Sequence, residues 1–279
     1  MCVDSTDFLT AVMKGNMWIF ATLSLLLCWM MPVDSMVIRF NFPLQKHNIP
    51  LSMVENSVDD MYFGCEKEME YLVKDKFFPE EQCMKEFREH WRVAKSCAKK
   101  KQRKDKDLTM DHMKAICIYT AHNVYRKFNT AVRTKGCIYR SKFQYHSLHY
   151  LLTSAIQILN NNYSCHSTFR RTKDIYTGEV NQKIRFGSFT STSYKPNLTH
   201  FGKKTCFKIK TCLGAFLKKY PVLGDHEKEV LIPPYEIFNI TEIINDPNKI
   251  QGLEDCEVVF VLVSAGVKSN LNCNVVHFK

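Results

Sequence analysis

The sequence predicts an α+β fold, because hydrophobic residues recur at helical spacing through the first half of the chain and at a period of two beyond Tyr163. No repeat, low-complexity segment or linker separates the halves, so one domain with a helical part and a strand part is expected. With 45% apolar and 24% charged residues, the 279-residue chain has the makeup of a globular protein rather than a disordered one.

The N-terminus comes first. Residues 17–31 carry no charge, but 15 residues are short of the ~20 that a membrane-spanning helix needs. Val33 and Ser35 follow with the small-residue spacing of a signal-peptidase site. Residues 1–35 therefore read as a cleaved signal peptide, with Met13 an alternative start, and 36–279 as the mature domain. Within that domain, 36–162 forms a mainly helical lobe and 163–279 a β-sheet lobe. Removing Lys14, Asp4, Asp7 and Asp34 takes away a net charge of −2, so the mature charge rises from +11 to +13. Cys2 and Cys28 leave with the signal, and ten of the twelve cysteines remain. Ten thiols without a C-x-x-C pair point to disulfides in an oxidising compartment rather than to zinc. Sequons at Asn162, Asn197 and Asn239 fit a secretory route. No apolar tail follows the strand-length run 258–263, so neither a membrane span nor a lipid-anchor signal is expected. Together these features predict a secreted, extracellular glycoprotein.

Three helices are expected in the first lobe. In 83–101, Phe87, Trp91 and Ala94 recur among Lys, Arg and Glu. A second helix spans 111–132 with Met113, Ile116, Thr120, Val124 and Phe128 along one stripe, and Gly136 stops it. The third covers 141–159, where Tyr145, Leu148, Leu152, Ala155 and Leu159 line one face and Asn160-Asn161-Asn162 ends it. At the end of the first lies the basic run Lys99-Lys100-Lys101-Gln102-Arg103-Lys104, which reads as a solvated helix end or a heparin-like surface site. It has no interleaved aromatics, so nucleic acid is not an expected partner.

Strands follow. Residues 205–213 alternate Phe207, Ile209, Thr211 and Leu213 against Cys206, Lys208, Lys210 and Cys212. Val230-Leu231-Ile232 ends at Pro233-Pro234, a strand resumes over 235–240, and 257–264 is apolar enough to be buried on both faces.

Common catalytic motifs are missing: no phosphate loop, G-x-G-x-x-G, H-E-x-x-H or G-x-S-x-G occurs. His146 and His149 lack an evident third ligand and read as helical histidines, so no metal is expected. What remains is Phe169-Arg170-Arg171-Thr172, then Gly187-Ser188-Phe189-Thr190-Ser191-Thr192-Ser193, then Glu227-Lys228-Glu229-Val230-Leu231-Ile232-Pro233-Pro234-Tyr235-Glu236. Each is weak alone.

In this order the three pieces resemble the R–S–E signature of the arginine-specific ecto-mono-ADP-ribosyltransferases. The resemblance extends over Gly64-Cys65, Ile118-Tyr119-Thr120, Leu148-His149-Tyr150-Leu151-Leu152-Thr153, Thr211-Cys212-Leu213-Gly214 and Ser269-Asn270-Leu271-Asn272-Cys273. Segments such as Arg171-Thr172-Lys173-Asp174 look nearest to the Dombrock blood-group member, without its lipid-anchor tail. The resemblance implies two packed antiparallel sheets around an NAD cleft, capped by the helical lobe. It implies NAD as co-substrate, no metal, and transfer of ADP-ribose to arginines of protein substrates with release of nicotinamide. Glu229 would stabilise the oxocarbenium-like transition state, and Glu227 would orient the incoming guanidinium from the same side of an extended strand. Arg170 would pair with the NAD phosphates, Ser191 would hold the ribose and the glutamate, and Tyr119 and Ser188 stand at cofactor-contacting positions. It also implies the disulfides Cys65–Cys273 and Cys165–Cys212, leaving Cys83, Cys97, Cys117, Cys137, Cys206 and Cys256 unassigned. Three residues depart from the family pattern: Arg171 stands for Gly, Ser188 for Gln, and Lys228 where an acid is common. Alternation along the strand would point Arg171 away from the cleft. NAD glycohydrolase activity, or a catalytically silent secreted binding protein, are the other readings.

Overall fold

The computed structural model describes residues 48–276 except 102, 103, 122, 123, 163, 248 and 249. The expected signal peptide, 1–35, lies outside the described residues. Strand β1 (Asn48–Pro50) precedes the helices. Helix α1 (Glu66–Leu72) runs through a π turn at Val73–Phe77 into α2 (Phe78–Gln82). Helix α3 (Lys85–Lys99) buries Phe87, Trp91 and Ala94, the stripe its spacing predicts, together with Ala98, and leaves its charged side to water.

The expected second helix is two. Helix α4 (Met110–Thr120) opens on a capping box, in which Thr109 Oγ1 accepts from the His112 amide and His112 Nδ1 accepts from the Thr109 amide. It stops where Ala121 turns extended, with ψ 139°, and α5 (Tyr125–Thr134) follows as a separate helix. Thr120 Oγ1 donates to Ile116 O at 2.8 Å and accepts from Val222 N at 3.0 Å, engaging the last turn of α4 with a strand-lobe loop. Val124 and Phe128 stay buried, so the apolar stripe continues across a break that no Gly or Pro marks. The third helix divides likewise into α6 (Tyr139–Lys142) and α7 (His146–Leu159), with Phe143 extended between them. The buried Glu81 carboxylate accepts from the Ser147 amide, capping α7 from outside its own sequence.

The strands are β2 (His166–Thr172), β3 (Ile175–Thr177), β4 (Lys183–Ile184), β5 (Thr190–Ser193), β6 (Thr205–Thr211), β7 (Ala215–Phe216), β8 (Glu229–Ile232), β9 (Glu236–Ile244) and β10 (Val258–Val267). Eight form one ladder in the order β4-β9-β10-β6-β2-β5-β8-β7, while β1 pairs in parallel with β3. The expected α+β architecture is present, with two refinements. The ladder is mixed, because β10 runs parallel to β6. Its two parts, five strands and three, meet at β2 and β5 through the single pair Phe169↔Ser193. That junction is where the candidate site forms.

Helices α4 and α7 are buried nearly all round and share a core with Phe189, Ala215, Leu217 and Leu231. A second core joins Leu51, Ile184 and Phe186 to Phe207, Phe238 and Phe260 of the five-stranded part. Both disulfides implied by the resemblance are present: Cys65–Cys273 closes a separation of 208 residues, and Cys165–Cys212 ties the start of β2 to the end of β6. Chain-entropy reasoning rates the first at ~5 kcal/mol. Cys97–Cys117 clamps α3 to α4, and Cys206–Cys256 clamps β6 to the loop before β10, which resolves four cysteines the sequence left open. Cys137 is an exposed thiol. His146 and His149 belong to the core. His149 Nε2 donates to Val58 O at 3.0 Å and its Nδ1 accepts from Tyr62 OH at 2.7 Å, while His146 stacks on Phe77. Burial lowers both, to about 3 for His146 and about 4 for His149, so they stay neutral. Among the described residues no group of metal-binding side chains gathers, and no helix is long and apolar enough to cross a membrane.

Candidate active site

Gly187 begins the site. Its φ is +66°, and a Cβ there would stand 2.5 Å from Val54, so only glycine fits this turn. The turn delivers β5, whose pairing with β8 sets Ser193 opposite Glu229 and Ser191 opposite Leu231. Ser191 and Glu229 are therefore diagonal neighbours on one face, within reach of each other across the ladder. Ser191 Oγ donates to Glu229 Oε1 at 2.6 Å. Burial pushes the Glu229 carboxyl up to about 7. The Ser191 bond works against that shift, and the nearby charge of Glu227 adds to it.

Arg170 comes from β2. Its Nη1 donates to Ser191 O at 2.8 Å, spanning the junction that the strands join by one residue pair. Tyr119, from α4, is buried and donates to Phe189 O at 2.8 Å. Burial lifts its phenol to about 12, and it feels the charges of Glu229 and Arg170 as well as the Ser191 hydroxyl. Arg170, Ser191, Glu229 and Tyr119 thus converge from three strands and one helix.

Glu227 reaches the same place by another route than an extended strand. Lys228 has φ +49°, in the left-handed region, and β8 begins only at Glu229. The Lys228 amide closes a turn on Asp225 O at 3.1 Å, and its Nζ pairs with Asp225 Oδ2 at 2.7 Å. Simple alternation fails here because the turn, not the ladder, determines where Glu227 sits. Its proximity to Glu229 survives.

Ser188 is buried, and its hydroxyl accepts from Arg133 Nη2 at 3.1 Å. Arg133 and Asn129 were not singled out from sequence. They lie four apart on α5, so they share one face. Asn129 Nδ2 donates to Tyr119 OH at 3.2 Å and to Phe189 O at 3.0 Å. Burial lowers the Arg133 pKa; Tyr176 opposes that shift and the Arg170 charge adds to it, so the two guanidiniums act on each other electrostatically. A polar i,i+4 pair on an amphipathic helix ordinarily faces water, whereas this one bonds to Tyr119, Phe189 and Ser188. Arg171 points away from the site, as alternation predicts. Its guanidinium pairs with Asp255 Oδ1 at 2.7 Å and donates to Pro196 O, Gly202 O and Gly252 O.

A profile of the NAD:arginine ADP-ribosyltransferases matches residues 51–253. The chain belongs to that family. It is 36% identical to human Ecto-ADP-ribosyltransferase 4 over 218 residues, covering 71% of this chain and 67% of that protein. It is 31% identical to human GPI-linked NAD(P)(+)--arginine ADP-ribosyltransferase 1 over 260 residues, or 85% of this chain and 77% of that protein. Among solved structures, the eukaryotic mono-ADP-ribosyltransferase ART2.2 superposes with a TM-score of 0.65 at 33% identity, covering 81% of this chain and 98% of that one. Glutamate variants of ART2.2 have been solved in complex with NADH and with NAD.

Proposed function

We propose that this protein transfers ADP-ribose from NAD to arginine side chains of protein substrates and releases nicotinamide. The observation that carries the reading is the buried Glu229 carboxylate, held by Ser191, whose backbone carbonyl in turn accepts from Arg170. Nicotinamide leaves NAD as a neutral molecule when the glycosidic bond electrons return to its cationic ring, so no general acid is needed. The ribose carbon then carries oxocarbenium-like charge, for which an ionised, desolvated Glu229 is the electrostatic partner. An arginine nitrogen attacks from the opposite face with inversion, and Glu227 orients the guanidinium and takes its proton. A guanidinium with a pKa above ~12 needs such a partner. Arg170 and Arg133 together form a cationic pair suited to a pyrophosphate. We assign to Arg133 the contact expected of Ser188, whose hydroxyl Arg133 already engages. Tyr119, braced by Asn129, lines the helical side.

None of the three departures removes a group this chemistry requires, which favours turnover over a silent binding protein. We further propose an extracellular setting: relatives carry the ecto- prefix, four disulfides bind the described chain, and sequons Asn162 and Asn197 are exposed. The test is incubation with NAD and an arginine-bearing protein, followed by mass spectrometry. ADP-ribose on arginine is expected. Its attachment only to other residue types would refute arginine specificity.

A further inference from the structure

The basic run after α3 is stitched to the segment that leads into Glu227. Lys101 Nζ donates to Pro221 O at 2.5 Å, and Tyr220 OH donates to Asp105 Oδ2 at 2.8 Å while accepting from the Lys104 and Asp105 amides. Lys218 pairs with the same Asp105. Val222 is tied to α4 through Thr120, and Glu227 lies six positions beyond Pro221. The turn bearing Glu227 is itself fixed to the end of β5. Ser193 Oγ donates to Glu227 O, the Tyr194 amide to Lys228 O at 3.2 Å, and Lys195 Nζ to His226 O at 2.6 Å. Basic run and acceptor-side carboxylate are thus parts of one hydrogen-bonded block.

Lys99, Lys100, Lys104 and Lys219 are exposed along this block, and Lys195 is exposed beside the Glu227 turn. Beside the lysines lies an open groove between α3 and α4, whose lining includes Val93, Ile118, the Cys97–Cys117 disulfide, Lys100, Lys101 and one acid, Glu89. Six extended residues span at most ~20 Å, so a peptide with its arginine at Glu227 can lay residues about six positions away along the lysines. Cations clustered at this range reinforce one another and steer an oppositely charged partner.

We propose that Lys99, Lys100 and Lys104, together with Lys219, form a docking surface for an acidic segment of the protein acceptor. This would make an arginine with acidic residues nearby in sequence the preferred target. The proposal rests on the arginine-transfer reading of the site and extends it to the choice of substrate. A solvated helix end would not need its backbone and side chains tied to the acceptor turn.

The experiment compares three acceptors with NAD: acetyl-arginine amide, a one-arginine peptide carrying glutamates at the stated distance, and the same peptide with glutamines. The enzymes are wild type and the Lys99→Glu/Lys100→Glu/Lys104→Glu variant, whose exposed side chains lie outside the candidate site. Wild type should favour the glutamate peptide by about tenfold in kcat/KM at low salt, less at high salt, and the variant should lose that preference. Both proteins should modify acetyl-arginine amide equally. Equal use of both peptides, with the small acceptor still modified, would overturn the docking surface and leave the transferase reading intact. If no acceptor is modified, the transferase reading fails, and fluorescence anisotropy of the labelled glutamate peptide decides the surface alone. Binding by wild type but not by the variant would uphold it; no binding would overturn it. Binding of a heparin-derived oligosaccharide to these lysines without binding of the acidic peptide would also overturn it, in favour of a sulfated glycan.

Discussion

Ser191 donates a 2.6 Å hydrogen bond to the buried Glu229 across the β5–β8 ladder. This bond favours the carboxylate against a burial that favours the acid, and the balance lies near neutrality, at about 7. Ionised Glu229 is the form that the oxocarbenium chemistry uses, so activity should rise as pH increases through that value. Ser191→Ala removes the influence that lowers the pKa. The acid limb of the kcat/KM profile should then move to higher pH, with activity at pH 7 down by about tenfold or more. A profile unchanged in position would break the link between the two residues.

The same shift has a stability consequence of defined sign. The folded-state pKa of Glu229 is raised, so the group favours folding most when protonated, below about 4.5, and that contribution is lost as pH climbs through about 7. Glu229→Gln should therefore stabilise the protein above pH 7 by roughly 3 kcal/mol and have little effect at pH 4. Thermal melts at the two pH values check this; destabilisation at pH 8 would contradict it.

Arg133, on α5, donates to Ser188 and feels the charge of Arg170. Arg133→Ala should weaken NAD binding by about ten- to a hundredfold, as expected when a charge-assisted contact worth ~1.5–3 kcal/mol is removed. Calorimetric titration with NAD measures it, and an unchanged affinity would remove Arg133 from the site.

Arg185 and Asp59 form a fully buried ion pair at 2.6 Å, and the guanidinium also donates to Met53 O, Val54 O and Lys268 O. Asp59→Asn leaves that cation without its counter-charge and should cost about 3–5 kcal/mol. Chemical denaturation reports it. A loss below ~1 kcal/mol would mean that the carbonyls alone suffice.

Legibility from sequence varied with the kind of signal. The faces of α3 and β6 follow directly from apolar spacing, because packing there obeys the local period. The breaks at Ala121 and Phe143 left no trace, since Val124 and Phe128 keep the stripe running and no Gly or Pro interrupts it. The grouping of Arg170, Ser191 and Glu229 was legible through motif resemblance, whereas the single-pair junction that gathers them is a property of the sheet. Glu227 was placed by strand alternation, which the left-handed Lys228 interrupts. Asn129 and Arg133 leave no signal in the sequence, because their partners Tyr119, Phe189 and Ser188 lie on other elements. The partners Cys97–Cys117 and Cys206–Cys256 depend on tertiary proximity that spacing does not encode.

The most direct measurement is the initial rate of nicotinamide release from NAD, with and without an arginine acceptor, for wild type, Glu229→Gln and Glu227→Gln. Wild type should release nicotinamide faster with acceptor present and label the acceptor stoichiometrically. Glu229→Gln should release none under either condition, and Glu227→Gln should keep a slow, acceptor-independent release. Wild-type transfer by both variants, or release by wild type that ignores the acceptor, would contradict the assignment of these two glutamates to arginine transfer.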